Sequence, residues 1–566
     1  MNVLRSLFSK DIEIKRISIE ITVILIISNI FRVLFNYTIE HLDQSIYFSF
    51  SFFLSSFENI FFVIFFVTTN IFLIYNYANT SWHQFSDYKI LRVLLYAIIF
   101  PIFWEQFFYD YNFYLNTDAL IDKGLLLLFM VLIYIHPLFS LMILFLGYIF
   151  FNSIALPFDS AGAHIPEFSA IYHMLILFIG FLLVKSTKQF KNIDTKLFVF
   201  LALTLHASNY FISGIAKIEI SPNGLDWIFS NEINNLFISA YLKGWLGFLD
   251  KETSLLIAQY IDNIDIIFTF SNMLIQVGAI FLLYQKRVSL LMFISFEFFH
   301  IGIALISGIF FWQWIVMNFG FIYTVQHLSK ENLDFLYNKK MFMTFILIVL
   351  LSPLIYRPFV FAWWDSNLNT VYDIYAITND NKSIKLNSQD LAPYDELFAQ
   401  NSIGFIDREV SLLNNRGFLL KDINLYSNGF FKLLIYLGYH NPPLDTKKSI
   451  NKSFIIYDAL EKAKNIADIE AVLVKYGDSI YSEKKRRNFK IFLQKYFKNY
   501  NRKGKEYPFY KKFGAPYMLY DFTPLGLLNT PQIDYIEVYK TNIWYDKRER
   551  AIKHFAHKRI MIVPIK

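Results

Sequence analysis

The chain has 566 residues and a formal net charge of +7. It is 55% hydrophobic and 19% aromatic, and its 17% of charged residues lies below the about 25% of soluble domains. This composition excludes an ordinary soluble globular protein, and the absence of cysteine excludes disulfides, iron–sulfur clusters and thiol chemistry.

Apolar runs near the length that crosses a bilayer, about 20 residues, recur through the first two thirds of the chain. The N-terminus has no small-residue cleavage site, so we expect the first run to remain a membrane helix. The runs predict an all-α polytopic domain over residues 1–357 with about eleven crossings, near 17–37, 50–77, 90–109, 122–136, 137–157, 168–185, 197–215, 263–284, 288–306, 309–326 and 341–357.

Lysine and arginine favour the cytoplasmic loops, and here they form four groups, before crossing one, after crossing six, between crossings eight and nine, and before the last crossing. Eleven crossings place all four groups on one side. The N-terminus is then cytoplasmic and residues 358–566 are extracytoplasmic, and we expect a multi-pass protein of the cell (inner) membrane.

Two extracytoplasmic segments are long enough to fold. Within the loop 216–262, apolar residues between Asp226 and Leu249 predict an amphipathic helix on the membrane surface. Residues 358–566 are polar and predict a small α+β domain. Its predicted elements are a strand pair over 371–386, a helix over 455–476 and a strand over 533–545.

Lys217 ends the apolar segment of the seventh crossing, with no acidic residue before it in that segment. One interpretation is an interfacial anchor whose ammonium reaches water. The other is chemical, because desolvation lowers the pKa of a lysine and the free amine is then a general base or a nucleophile. Tyr210, Gly214 and Trp227 surround it in the sequence and are candidates for binding a substrate.

Glu297 and His300 share one face of the ninth crossing, about two helical turns from its outer end. Ionisable groups at such depth are functional candidates, and here the pair predicts a histidine oriented by a carboxylate. A purely structural pair is the alternative. The Glu-x-x-His spacing also occurs in di-iron bundles, but it needs a second copy that this chain lacks, so we predict no metal.

Other polar residues lie near the same predicted face. His164 and His173 flank the start of the sixth crossing and are candidates for a catalytic histidine, or else surface and helix-entry residues. Asn272 and Gln276 form an i, i+4 amide pair that either binds substrate or joins two helices.

A basic run, Lys484-Lys485-Arg486-Arg487, stands out in the tail, with aromatic residues following it. It is either a solvated helix face or a site for lipid headgroups or an acidic peptide. The predicted extracytoplasmic position argues against nucleic acid as a partner.

The segment Tyr210-Phe211-Ile212-Ser213-Gly214-Ile215-Ala216-Lys217-Ile218, followed by Asp226-Trp227, resembles a motif of the vitamin K-dependent gamma-carboxylases. These belong to the wider horizontally transferred transmembrane (HTTM) domain superfamily. Phe299-His300 followed by Gly308-Ile309-Phe310 resembles their second motif, in the same order. The resemblance covers residues 15–350 and leaves the tail divergent.

The resemblance implies a membrane-edge active site and a lyase-class activity. Lys217 would deprotonate vitamin K hydroquinone or a related quinol, which reacts with O2, and the base so formed would remove a glutamate γ-proton before CO2 adds. His300 would act nearby, and His164 or His173 would match a further family histidine. The expected partners are the lipid bilayer, a quinone-like or lipidic molecule and a secreted peptide.

The chain also departs from the family pattern. The gap from Lys217 to Trp227 is longer than in the animal enzyme, and alanine precedes the lysine where that enzyme has a second lysine. The fold therefore carries over better than the substrate. The alternative function is a non-catalytic membrane protein for maturation, export or immunity of a secreted peptide.

Overall fold

The structure is a computed structural model of the whole chain. It describes residues 2–108, 112–157, 169–356, 358, 362–391, 394, 397, 398, 403–409, 446–477, 481–503 and 531–565. Within these residues the fold consists of a large helical part followed by a mixed α+β tail.

The helical part contains long helices joined by short ones. They are α1 (Asn2–Glu40), α2 (Phe52–Ser55), α3 (Ile60–Tyr75), α4 (Tyr77–Thr80), α5 (Tyr88–Phe108), α6 (Asn112–Leu115), α7 (Leu120–Leu132), α8 (Ser140–Ala155), α9 (Ala170–Ser186), α10 (Thr195–Glu219), α11 (Asp226–Ser230), α12 (Ile233–Leu242), α13 (Lys251–Gly278), α14 (Lys286–Ser307), α15 (Trp312–His327), α16 (Lys330–Leu336), α17 (Lys339–Leu350) and α18 (Ser352–Ile355).

Six helical stretches in the described residues are long and apolar enough to cross a membrane. They lie at Lys15–Glu40, Tyr88–Phe108, Pro137–Ile154, Thr195–Glu219, Lys251–Phe281 and Lys286–Ser307, and a pair bent by 106°, Phe52–Glu58 with Ile60–Tyr75, is a seventh candidate. Four other predicted crossings coincide with the shorter helices α7, α9, α15 and α17. The predicted membrane helices are therefore present, whereas the count of eleven crossings is not confirmed.

Helix α10 is the centre of this bundle. In the most apolar stretch of α10, 94% of the residues are buried inside the protein. The corresponding shares are 28% for α13 and 33% for α14, whose outer faces are available to lipid. Small residues bring other helices close together: a Cβ added at Gly180 of α9 would lie 2.8 Å from the Cα of Ser28 in α1. Such small-residue contacts let helix backbones approach in an apolar solvent.

The segment predicted as one surface helix, Asp226 to Leu249, forms two helices instead. Helix α11 ends at Ser230 and α12 begins at Ile233, because the intervening Asn231 and Glu232 adopt extended backbone. The buried face of α12 packs on α13 and on the tail, through residues that include Phe237, Ile238 and Ala258.

The described residues of the tail form three helices and one antiparallel sheet. The helices are α19 (Thr446–Lys462), α20 (Ile466–Tyr476) and α21 (Glu483–Lys503), and the strands are β1 (Leu368–Thr378), β2 (Ser383–Lys385), β3 (Ile533–Asp546) and β4 (Ala551–Pro564) in the order β2-β1-β3-β4. The predicted strand pair and the strand over 533–545 are present. The predicted helix over 455–476 is two helices, since the Asn465 side chain caps the start of α20.

The tail packs directly against the end of α10. One apolar cluster joins Ala216 and Ile220 of that helix to Trp364, Leu460 and Trp544 of the tail. Two polar contacts join the tail to the neighbouring helices α11 and α12: the Tyr457 hydroxyl donates to the Ser230 carbonyl, and Nδ2 of Asn235 donates to Oε1 of Glu461 at 3.1 Å. The tail therefore covers the end of the helix that carries Lys217.

We expect Gly180→Leu to destabilise the protein by about 1–3 kcal/mol, because the new side chain would overlap the backbone of α1. Thermal unfolding of the purified protein, followed by tryptophan fluorescence, measures the loss. Gly124→Leu is the matched control, since a Cβ at Gly124 meets no atom within 4 Å. Equal unfolding temperatures for the two variants would contradict this account of the α1–α9 contact.

Candidate functional site

Lys217 is buried at the last turn of α10, with only 4% of its surface exposed. Its Nζ donates a hydrogen bond of 2.8 Å to Oε1 of Gln276 and lies 3.4 Å from the carbonyl oxygen of Ser213. The same nitrogen lies 5.2 Å from the centre of the Trp227 ring. The amine is thus held by an amide and an aromatic ring, away from bulk water.

Gly214 explains how Gln276 reaches the lysine. A Cβ at this position would lie 2.9 Å from Cγ2 and 3.0 Å from the backbone nitrogen of Val277. Only glycine therefore allows α13 to approach α10 this closely. The Gly-x-x-Lys spacing places the close contact one helical turn below the lysine, beside Gln276.

Beside Lys217 lies a cavity of about 280 Å³. Aliphatic and aromatic side chains of α12, α13 and α14 form most of its wall. The lining residues are Lys217, Trp227, Asn231, Ile233, Leu236, Ile267, Phe268, Ser271, Asn272, Ile275, Gln276, Phe298, Phe299, Gly302, Ile303, Ile306, Ser307, Ile309, Phe311, Trp363 and Asp365. The volume is close to the lower end of the range for small-molecule sites, about 300–1,000 Å³.

Three amide side chains give the cavity a polar end near Lys217. Gln276 accepts from the lysine, and Asn231 contacts Asp365. The side-chain oxygen of Asn272 is buried and has no hydrogen-bond partner among the described residues. A buried acceptor without a partner is costly, so a ligand that carries a hydroxyl or N–H donor would be stabilised there.

Asp365 is a site residue that the sequence did not indicate. It follows the last helix of the membrane part, and its carboxylate accepts hydrogen bonds of 2.9 Å from Nδ2 of Asn231 and from Nε1 of Trp363. Burial raises the pKa of Asp365 to about 6, although these hydrogen bonds and the nearby charges of Lys217 and Lys243 lower it. Among the described residues that line the cavity, the ionisable ones are Lys217 and Asp365.

Trp227 joins the lysine to the same segment of the tail. Its indole Nε1 donates to the carbonyl oxygen of Trp363 at 2.8 Å, and its backbone nitrogen donates to the Ser221 hydroxyl at 2.9 Å. The ring is 4% exposed and lines the cavity beside the amine. Trp227 therefore shields Lys217 from water. It also fixes the position of Trp363 and so of Asp365, two residues later.

His300 lies in a different environment. Its Nε2 shares a hydrogen bond of 2.7 Å with the Tyr210 hydroxyl, and Nδ2 of Asn318 lies 3.5 Å from that oxygen. Oδ1 of Asn318 is 2.6 Å from Nε2 of His206. A chain of four polar side chains, His300, Tyr210, Asn318 and His206, thus crosses the bundle between α14, α10 and α15.

Glu297 does not hold His300 as its spacing predicted. The carboxylate lies beside the Asn318 side chain, and the histidine nitrogen that has a hydrogen-bond partner uses Tyr210 instead. The reason is that an i, i+3 spacing places two side chains on one helix face without directing them at each other. The hydrogen-bonding partner of His300, Tyr210, lies on the neighbouring helix α10.

Lys217 and His300 are not neighbours. The histidine contacts Tyr210, which precedes Lys217 by seven residues, or about 10 Å along the helix axis. His300 does not line the cavity, although the adjacent Phe299 does. The aromatic ring of Phe311, 5.3 Å from the His300 ring, forms part of the wall between them.

The remaining predicted residues lie elsewhere. His164 lies outside the described residues. His173 lines a separate cavity of about 20 Å³ together with Arg32 and Tyr356, so it does not reach Lys217. The basic run is at the start of α21, where Arg486 donates to the carbonyl oxygens of Ile406 and Ile560.

Comparison of the chain with known protein families, with curated proteins and with solved structures finds no match. The resemblance to the carboxylases therefore has no support beyond the motifs themselves.

We expect Asp365 to titrate near pH 6, because burial holds its proton. Infrared difference spectra between about pH 4 and pH 8 should contain a protonated-carboxyl band, and Asp365→Asn should remove the component of it that titrates near pH 6. The native state binds this proton more tightly than the unfolded chain, so this group makes the unfolding free energy fall as the pH rises from about 4 to about 6. Asp334→Asn, at an exposed position, should leave this component in place, and an unchanged pH dependence of the band in Asp365→Asn would contradict the assignment.

Proposed function

We propose that the chain is an integral membrane enzyme of the carboxylase-like class. It would oxygenate a quinol through base catalysis and couple this reaction to carboxylation, or a related modification, of a peptide. The observation that carries the proposal is one buried amine at the polar end of an apolar cavity on the lipid side of the bundle. The proposal includes eleven crossings and an extracytoplasmic tail.

The residues of the cavity fit a quinol. Its volume of about 280 Å³ suits a ring system of two fused rings, and its apolar wall suits the hydrocarbon part. The unpartnered oxygen of Asn272 provides an acceptor for one ring hydroxyl. When bound, the quinol would supply the reaction with O2 and, through it, a base strong enough to remove a proton from the peptide before CO2 adds.

Access from the bilayer supports a lipidic ligand. Ile267 of α13 and Phe298 of α14 line the cavity, yet they are 66% and 72% exposed on the outer surface of the bundle. The cavity wall is thus the lipid-facing wall of the protein. A hydrophobic molecule can enter between α13 and α14 without passing through water.

Lys217 takes a proton from the ligand hydroxyl in this proposal. Gln276 accepts from Nζ and so directs the nitrogen lone pair, once the amine is neutral, into the cavity. Trp227 excludes water from the amine. Asp365 shares the cavity and holds the compensating charge when Lys217 is protonated.

His300 has an indirect role in this arrangement. Its hydrogen bond to Tyr210 fixes the middle of α10, two turns below the lysine. The stacked rings of Tyr210 and Phe296, 3.7 Å apart, hold α10 against α14 at the same level. His300 is therefore a positioning residue here, and Glu297 acts further away through Asn318.

A non-catalytic function in maturation, export or immunity of a secreted peptide is the second candidate. The observation in its favour is that the Lys217 amine already has a hydrogen-bonding partner in Gln276 and an aromatic ring over it. These contacts would also suit a lysine that only joins α10, α13 and the tail. This function predicts that replacement of the lysine changes stability rather than chemistry.

We expect Lys217→Met to lower the oxidation of vitamin K hydroquinone by purified protein about 10²–10⁴-fold, as the loss of a general base does. Methionine keeps the side-chain length and removes the amine. Formation of the quinone epoxide is the measurement. Lys196→Met is the control, because Lys196 lies on the same helix, at its other end, with its Nζ 5.2 Å from the Phe335 ring. Full epoxidation by Lys217→Met would refute the proposal.

We expect Gly302→Leu to fill the cavity and weaken the binding of a short-chain naphthoquinone at least about tenfold. A Cβ at Gly302 meets no atom within 4 Å, so the new side chain enters open space and leaves helix packing intact. Quenching of tryptophan fluorescence in nanodiscs measures the binding, since Trp227 and Trp363 line the site. Unchanged binding would show that the quinone lies elsewhere, and Gly124→Leu should bind normally.

A further inference from the structure

Helix α21 separates its cationic residues from its aromatic residues. Between Lys484 and Arg502 the sequence has eight lysines and arginines and no acidic residue. One face is fully buried and holds Phe489, Phe492, Leu493, Tyr496, Phe497 and Tyr500. The opposite face, the cationic stripe, is exposed and holds Lys484, Arg487, Ile491, Lys495, Lys498 and Arg502.

The cationic stripe is not the same set of residues as the basic run Lys484-Lys485-Arg486-Arg487. Arg486 donates to two backbone carbonyl groups, and the Nζ of Lys485 lies 5.9 Å from the Phe405 ring, so both serve the packing of the tail. Of the run, Lys484 and Arg487 belong to the stripe. The spacing of three or four residues along the stripe gives one straight face about 27 Å long.

The helix is fixed to one rim of the membrane part. Its aromatic face packs on the short helix α6, where the Phe113 ring lies 5.2 Å from that of Tyr496. Nδ2 of Asn499 donates to the Phe113 carbonyl at 2.7 Å, and Arg502 donates to Oδ1 of Asn116 at 2.7 Å. Helix α6 lies between the end of α5 and the start of α7, so α21 lies at the level where apolar helices end.

Exposed aromatic residues mark the same level. Phe48 is 45% exposed and Phe50 is 68% exposed in the segment between α1 and α2. The Nζ of Lys495, in the middle of the stripe, lies 4.1 Å from the centre of the Phe48 ring. The same Nζ lies 5.2 Å from the centre of the Tyr114 ring in α6. Tyrosine favours the membrane–water interface, so this contact fits a lysine at headgroup depth.

We propose that the cationic stripe of α21 binds the headgroups of anionic phospholipids in the leaflet on its side of the membrane. Lys484, Arg487, Lys498 and Arg502 would contact phosphate groups, and Ile491 would reach the boundary of the acyl chains. Such binding depends on charge and is screened by salt. It would fix the tail over the rim independently of any ligand in the Lys217 cavity.

An acidic peptide fits the stripe less well. The stripe is a single row of cations with one apolar residue and runs along the rim, where headgroups are already present at high concentration. A peptide needs pockets for its side chains, whereas the exposed face of α21 presents its cations in one row along a single helix. A flat row of charges suits a fluid surface of phosphate groups.

The absence of cysteine in the chain allows a direct test. A nitroxide attached to Ile491→Cys in the full-length protein reports its surroundings in nanodiscs of phosphatidylcholine, with or without phosphatidylglycerol. We expect the anionic lipid to lower collisions with a water-soluble nickel chelate about threefold and to raise collisions with oxygen, and 1 M salt to reverse both.

Arg487→Glu with Lys498→Glu should abolish this response. Lys464→Glu with Lys475→Glu, at exposed positions of the α19–α20 region, changes the charge equally and should retain it. Native mass spectrometry of the unlabelled protein should show fewer bound phosphatidylglycerol molecules for the first pair alone. The proposal would be overturned if the nitroxide collided equally with the nickel chelate in both lipid compositions. It would also be overturned if soluble polyglutamate lowered these collisions in nanodiscs of phosphatidylcholine alone.

Discussion

The burial of one amine at the end of the central helix determines most of the local structure. An ammonium in apolar surroundings is unfavourable unless polar groups or an opposite charge accompany it. Lys217 receives a hydrogen-bond acceptor from Gln276, an aromatic face from Trp227 and a carboxylate in the same cavity from Asp365. Each of these comes from a different segment of the chain, so the lysine joins α10, α13 and the start of the tail.

This arrangement links the tail to the cavity. Asp365 is held by Asn231 on both sides, because the Asn231 amide donates to the carboxylate and its oxygen accepts from the Asp365 backbone nitrogen at 2.8 Å. The carbonyl oxygen of Asp365 also accepts from Asn235 of α12 at 3.0 Å. A movement of the tail would therefore move Asp365, the carboxylate among the described residues that line the Lys217 cavity. In the proposed function, this would give a peptide substrate on the tail a physical route to the amine.

The sequence predicted those features that depend on local patterns. Membrane helices follow from apolar runs, and the strand pair around Asn379–Asn381 follows from alternation with a turn. The sequence also indicates Trp227, Asn272 and Gln276 as candidates beside Lys217, and all three line the same cavity, whereas Gly214 lies at the contact between α10 and α13. Their roles in binding a substrate stay predictions.

Features that depend on contacts far apart in the sequence were not predictable. Asp365 lies 148 residues after Lys217, in a segment with no motif, and only the packing of the tail on α10 brings them together. The sequence of α21 likewise does not indicate that its aromatic residues pack on α6. The partner of His300 could not be found either, because Tyr210 lies 90 residues before it on another helix.

The separation of Lys217 from His300 limits the mechanisms that this fold supports. A ligand held by the lysine, in a cavity of about 280 Å³, would have to extend past Phe299 and Phe311 to touch the histidine. The histidine ring is surrounded by Tyr210, Phe311 and Trp314, and its hydrogen-bonded chain leads to His206, which is also enclosed by aromatic rings. This chain thus leads away from the cavity into the centre of the bundle. In the proposed reaction, proton transfer at the ligand would therefore fall to Lys217 with Asp365 beside it, and His300 would act only through the position of α10.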